Sequence, residues 1–331
     1  MKKQVKIKFY NGITYSVGIQ EILNCVSDKY EFLESDDPDY TLFGPYGNDI
    51  PPKGNYTRIG YFCENMLPDM SICDWAFGVP YEEDINHPRY MRIKWHGFDP
   101  NCLIKQNINL ESILAQKTKF CNFIYSNPVP FREKFCQQLS KYKPIDCPGK
   151  SLNNMPSIDV AMPDISIWER KRKFLSPYKF TIAFENYSYP GYNTEKLLDP
   201  MMVNSLPIYL GNPQIDRHFN PKSFINAHEY VDTSDFPLVN LLESFCQPDR
   251  QDQVPSVYTS LGHQIKRKVK MVGRSLKMQL KYTSFDDLID KIIEIDRHDD
   301  LYAKYLLEPW FHHNSLPAND AVINRWKEIF G

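Results

Sequence analysis

The stretch YKFTIAFENYSYPGYNTEKLLDPMMVNSLPIYLG, Tyr178 to Gly211, decides the fold. It opens with Phe180, Ile182 and Phe184 on one side of an alternating run, the period of a strand. TEKLLDPMMVNS at 194–205 changes to helical spacing, and LPIYLG at 206–211 returns to a short apolar strand. Strand, helix, strand in that order is a βαβ crossover, which implies a parallel sheet. Ligands of such sheets bind in the crevice at the carboxyl ends of the strands. The joint FENYSYPGYNTEKLLDP at 184–200 lies at such an end. It carries Glu185, Tyr187, Tyr189, Tyr192, Glu195 and Lys196 where a few turn residues would close the chain.

A helix starting near Asn193 or Thr194, either of which caps it, turns free backbone N–H groups and the positive end of its dipole toward the crevice. Anions bind there. Lys196 in the first turn is poorly placed for a purely structural helix, because the dipole there favours acids, and a bound phosphate would remove the conflict. Glu195 beside it can accept two hydrogen bonds from a vicinal diol such as a ribose. The residues alone leave two readings open: solvated first-turn charges, or one wall of a sugar-nucleotide site.

Upstream, VKIKFY (5–10), YEFLES (30–35), YTLFG (40–44), TRIGYFCE (57–64) and DWAFGV (74–79) alternate with short helical or turn segments, the pattern of an α/β sheet. NINLESILAQK at 107–117 reads as a helix, and FCNFIYS at 120–126 starts a new strand. We therefore expect a boundary near residue 117, with an α/β domain at 1–117 and a second at 118–331. REKFCQQLSKY at 132–142 follows, with Phe131 just before it and apolar positions 135, 136 and 139 on one helical face. Downstream, SFDDLIDKIIEI, DLYAKYLLEPW and NDAVINRWKEIF read as three closing helices, all in the second domain. The segment 242–283 is less regular. From His263 to Lys281 it holds seven Lys or Arg and no acid, with Ile265, Val269, Val272 and Leu276 on one helical face.

The 331 residues suffice for two domains with substantial cores. With 39 basic and 41 acidic side chains, no global field favours nucleic acid. The eight cysteines form no CxxC pair, so reduced thiols in a cytosol are expected. MKKQVKIKFYNG alternates like a strand instead of forming the apolar core of a signal peptide. No window approaches the roughly 18 apolar residues of a membrane span.

The run 178–230 resembles the signature region of the α-1,3-fucosyltransferases, glycosyltransferase family 10. Phe-Glu-Asn at 184–186, Tyr-x-Thr-Glu-Lys at 192–196, Pro-x-Tyr-x-Gly at 207–211 and Pro-x-Ser-Phe-Ile at 221–225 stand in the family's order. SNPVPFREKF at 126–135 resembles its Ser-Asn-Pro segment, and FCENMLPDMSICDWAFG at 62–78 its N-terminal segment. The resemblance implies a GT-B architecture: two Rossmann-like domains facing across a cleft, the first binding acceptor and the second GDP-fucose. It implies an inverting transfer of L-fucose to a GlcNAc-containing acceptor such as N-acetyllactosamine, forming an α-1,3 linkage.

By position, the resemblance makes Glu64 the catalytic base and assigns donor contacts to Arg132, Glu185, Asn186, Tyr192, Glu195 and Lys196. One in-line displacement requires one base and fixed positive charge for the departing diphosphate. Arg132, Lys196 and a helix N-terminus would supply that charge, so neither metal nor cofactor is expected. DPD at 37–39 reads as turn chemistry, and His312 and His313 as surface. Gly191 and Asn193 depart from the family's usual residues, and 242–283 reads as a basic insertion. Residues 263–281 suggest weak contact with a membrane surface. The expected setting is cytoplasmic, peripheral to a membrane at most. The rival readings are a non-catalytic sugar-nucleotide or glycan binder, and an inverting transferase for another nucleotide sugar.

Overall fold

A computed structural model describes residues 2–96, 98–233, 237, 241, 245, 246, 252, 259–317 and 320–331. The chain forms two compact units. The first comprises Met1–Pro100, Ser244–Gly273 and Ala318–Gly331; the second comprises Asn101–Glu243 and Arg274–Pro317.

The first unit is built on β1 (Lys3–Tyr10), β2 (Tyr30–Glu34), β3 (Tyr40–Phe43), β4 (Thr57–Phe62), β5 (Trp75–Gly78) and β6 (Tyr90–Arg92). They form one six-stranded sheet in the order β2-β1-β3-β4-β5-β6, parallel throughout. Strands covered on both faces carry near-continuous apolar runs, and β4 is buried from Arg58 to Phe62.

The second unit contains β7 (Lys119–Asn122), β8 (Ile145–Asp146), β9 (Tyr178–Phe184), β10 (Leu206–Leu210) and β11 (Ile225–Asn226), again all parallel, in the order β11-β10-β9-β7-β8. β9 and β10 pair with Phe180 opposite Leu206 and Phe184 opposite Leu210, as the crossover reading requires. Counting described helices of seven residues or more, the chain has α1 (Leu110–Gln116), α2 (Pro130–Leu139), α3 (Ile167–Leu175), α4 (Glu195–Met202), α5 (Leu261–Lys281), α6 (Asp286–Arg297), α7 (Asp299–Leu307) and α8 (Asp320–Phe330). Phe131, Phe135, Cys136 and Leu139 of α2 are buried against β9, with the Phe135 and Phe184 rings stacked 4.7 Å apart.

The division differs from the expected cut at 117 in two places. α1 packs Leu110, Ile113 and Leu114 against the second core, which moves the cut to Pro100. α8 returns to the first sheet: Trp326 stacks on Phe77 at 4.1 Å, and Phe330 meets the rings of Tyr30, Phe32 and Tyr40 at 5.0–5.4 Å. Aromatic burial of this size decides where a short helix docks. Of the expected insertion, residues 242–244, 247–251 and 253–258 lie outside the described residues; most of its remainder is α5, whose residues fall in both units.

Candidate functional site

The expected crevice lies at the carboxyl end of β9, where the chain leaves Phe184 and re-enters helix at Glu195. Thr194 is the N-cap of α4, its hydroxyl accepting from the Lys196 amide at 3.3 Å; Asn193 is not the cap. The loop is closed on itself by Glu185, whose Oε1 accepts from the Thr194 amide at 2.8 Å and the Thr194 hydroxyl at 2.9 Å. Neighbouring strand ends hold its middle: Ser188 Oγ donates to the Gly211 carbonyl at 2.7 Å, and Asn212 Oδ1 accepts from the Gly191 amide at 3.0 Å. Gly191 has φ +83°, a left-handed conformation that explains glycine at this departure from the family pattern. Gly211 is constrained differently, since a Cβ there would lie 2.5 Å from Cγ of Glu185.

Lys196 Nζ stands 3.3 Å from Glu185 and 3.6 Å from Glu195. Burial opposes its charge, yet the two carboxylates outweigh burial and hold its pKa above the ordinary lysine value. Glu185 has no exposed surface, and burial pushes its pKa up while Lys196 and Thr194 counteract. Direct donor contact was expected of Glu185, but the structure places it beneath the loop as its clasp, because a buried carboxylate must be satisfied internally. Glu195 differs. Its side chain is 37% exposed, and Lys196 and Lys171 outweigh burial to keep its pKa below the usual carboxylate range.

Lys171, on α3, was not singled out in the sequence. Its Nζ lies 3.5 Å from Glu195 and 2.9 Å from Asp199, one helical turn apart on α4. The charge-rich α3 run IWERKRKFL offered no signal separating Lys171 from its neighbours; only the contact with α4 distinguishes it. His228 was also unmarked. Its Nε2 is 3.2 Å from the Gly211 carbonyl, and burial lowers its pKa.

Arg132 is fully buried in the first turn of α2. One terminal nitrogen donates to Asn186 Oδ1 at 2.9 Å, the other to the Asn127 carbonyl at 2.9 Å, and the guanidinium lies 4.0 Å from the Tyr125 ring centroid. Both ends of the fork expected to grip a diphosphate are therefore engaged within the protein; Nε alone has no hydrogen-bond partner. Asn186 is exposed while accepting from Arg132, so the arginine reaches the surface through the asparagine. Tyr192 is 6% exposed, with its carbonyl accepting from the Tyr209 hydroxyl at 3.3 Å; its ring is packed instead of offered for stacking.

In the first unit, Glu64 follows β4 by two residues, at the strand end where it was expected. It is half-buried and accepts a short hydrogen bond from the Tyr46 hydroxyl. Burial and this bond raise the Tyr46 pKa, and burial pushes the adjacent Cys63 thiol up to about 12. In the DPD motif, the Asp37 amide donates to Ser35 Oγ at 3.1 Å, which is turn chemistry. Among the described residues no three His, Cys, Asp or Glu side chains gather as a metal would require. All eight cysteines are free, and no described helix is long and apolar enough to cross a membrane.

Two parallel α/β sheets of this kind give the GT-B fold. A solved α1,3-fucosyltransferase with GDP aligns over 99% of this chain and 91% of its own, with TM-score 0.65 at 22% identity. A second, with GDP-fucose, gives TM-score 0.64 over 100% and 91% at 21% identity. The profile described as "Glycosyltransferase family 10 (fucosyltransferase) C-term" matches residues 114–250, and "Alpha-(1,3)-fucosyltransferase FucT N-terminal domain" matches 7–98. Alpha-(1,3)-fucosyltransferase FucT of Helicobacter pylori is 30% identical over 264 residues, which is 67% of this chain and 51% of the relative. The chain spans about half or less of the length of the curated relatives it matches. It belongs to glycosyltransferase family 10.

Proposed function

We propose that the chain is an inverting α-1,3-fucosyltransferase that moves L-fucose from GDP-fucose to a hydroxyl of a GlcNAc-containing oligosaccharide such as N-acetyllactosamine. The observation that carries this reading is the charge arrangement at the start of α4. There a protonated Lys196 and an ionised, partly exposed Glu195 meet a capped helix N-terminus at a parallel-strand end. Phosphate suits the cation and the helix terminus; a ribose diol suits the carboxylate. Family membership supports fucose as the sugar and GDP as its carrier.

In this mechanism Glu64 takes the acceptor hydroxyl proton as the oxygen attacks the anomeric carbon, which passes through an oxocarbenium-like state. The bond to GDP breaks on the opposite face, giving inversion. Charge developing on the diphosphate is met by Lys196 and the positive end of the α4 dipole, which are already in place. Arg132 and Glu185 act beneath them: the arginine orients Asn186, and the glutamate fixes the cap and the lysine. No metal is needed when fixed cations carry the leaving-group charge. The eight free thiols fit a cytosolic setting.

The test is transfer from GDP-fucose to N-acetyllactosamine in EDTA, for wild type and Glu64→Ala, with donor binding measured in parallel. Transfer that survives EDTA and disappears in the variant, with binding intact, is the expected result. Metal dependence would overturn the charge argument, and an unimpaired variant the base. Donor binding without transfer to any of several acceptors would leave a sugar-nucleotide binder.

A further inference from the structure

We propose that the outward face of α5 is a contact surface for an anionic lipid membrane. Leu261, Ile265, Val269, Val272 and Leu276 advance by four, four, three and four positions, and so fall within an arc of about 80° on the helix surface. They are 78%, 63%, 49%, 64% and 43% exposed. A helix facing water ordinarily turns its polar side outward. Here the polarity is inverted. Lys270 and Lys277 point inward, 5% and 1% exposed, with Nζ 3.1 Å from Asp252 and 3.2 Å from the Tyr187 hydroxyl respectively.

Charge selects the occupant. Exposed Lys268 borders the apolar stripe on one side and exposed Lys266 on the other, and no acid occurs anywhere from Leu261 to Lys281. An apolar protein groove would take the stripe but would not require a helix of this length to be free of acids. A membrane surface uses both features: the stripe, about 22 Å long, lies in the headgroup boundary, while the flanking lysines meet anionic lipid. This proposal does not depend on the identity of the sugar donor.

The experiment is co-sedimentation of the full chain with phosphatidylcholine vesicles, alone or with about a third phosphatidylserine. We expect a bound fraction about tenfold higher on the anionic vesicles, collapsing in high salt. Val269→Glu/Val272→Glu should abolish binding without lowering the melting temperature, because both side chains are exposed. Lys266→Glu/Lys268→Glu should weaken it severalfold. Equal binding to both vesicles, binding to neither, or undiminished binding by the valine variant would each overturn the proposal. So would a dimer, seen by light scattering, that the valine variant dissolves, since the stripe would then face a second copy.

Discussion

The carboxyl ends of β4 and β9 are corresponding places in two parallel sheets, yet they are built on different principles. At the β9 end, Glu185, Thr194, Lys196, Glu195 and Lys171 hold one another by charge and hydrogen bonds, with Glu185 fully buried. At the β4 end, Glu64 is half-buried and takes a hydrogen bond from a phenol. The contrast follows from the proposed roles. A site for an ion that must be stabilised as it forms gains from rigidity, because no reorganisation is then needed during reaction. A base must exchange its proton partner each cycle, so a rigid network of charges would hinder it.

The sharpest way to break this comparison is Glu64→Gln. Transfer should fall about a thousandfold with GDP-fucose affinity unchanged, measured by initial rates and calorimetry. A parallel loss of affinity would show that the β4 end also holds donor. Lys196→Met comes next: it removes the cation proposed to meet the diphosphate, so transfer should fall, and it also leaves the Glu185 carboxylate buried without its partner. We expect a loss of about 3–5 kcal/mol in urea unfolding, partly recovered by adding Glu185→Gln.

Lys171→Met should raise the donor KM about tenfold with kcat little changed, and Lys171→Arg should restore it. The same variant tests a sign. The folded-state pKa of Glu195 lies below its ordinary value, so its contribution is present above that value and lost as pH falls through the folded pKa. Removing Lys171 raises the folded pKa, so donor affinity should begin to fail at higher pH than in wild type. The smallest effect expected is that of Thr194→Val, which removes the cap and the hydroxyl that donates to Glu185, costing about 1–2 kcal/mol by thermal unfolding.

How much of this was legible follows from where each signal resides. The βαβ unit at 178–211 was readable because a switch from period two to 3.6 is local. Strands β8 and β11 are only two residues each, too short for any period to register. The docking of α8 on the first sheet rests on rings separated by hundreds of residues, invisible to a pass along the chain. At the site, Thr194, Glu195 and Lys196 could be argued from helix physics, and the structure brings them together. The resemblance points to Arg132 and Glu185 as donor contacts; that both are buried is a tertiary fact that no local pattern carries. Lys171 matters only through α4, and Glu64 was found by resemblance alone, since one acid at a strand end has no local signature.

The return of α8 to the first sheet also orders events in time. Lys3 Nζ, in the first strand, donates to the carbonyl of Phe330 at 2.7 Å, and Phe330 plugs between three rings from β2 and β3. During synthesis the first sheet therefore waits, its aromatic face uncovered, until residues 320–330 have left the ribosome. The second unit, complete by Pro317, has all its parts first. The usual N-terminal-first sequence of domain folding is therefore expected to be reversed, which refolding of chains truncated before Asp320 would check: their second unit should fold while the first sheet stays unprotected from proteolysis.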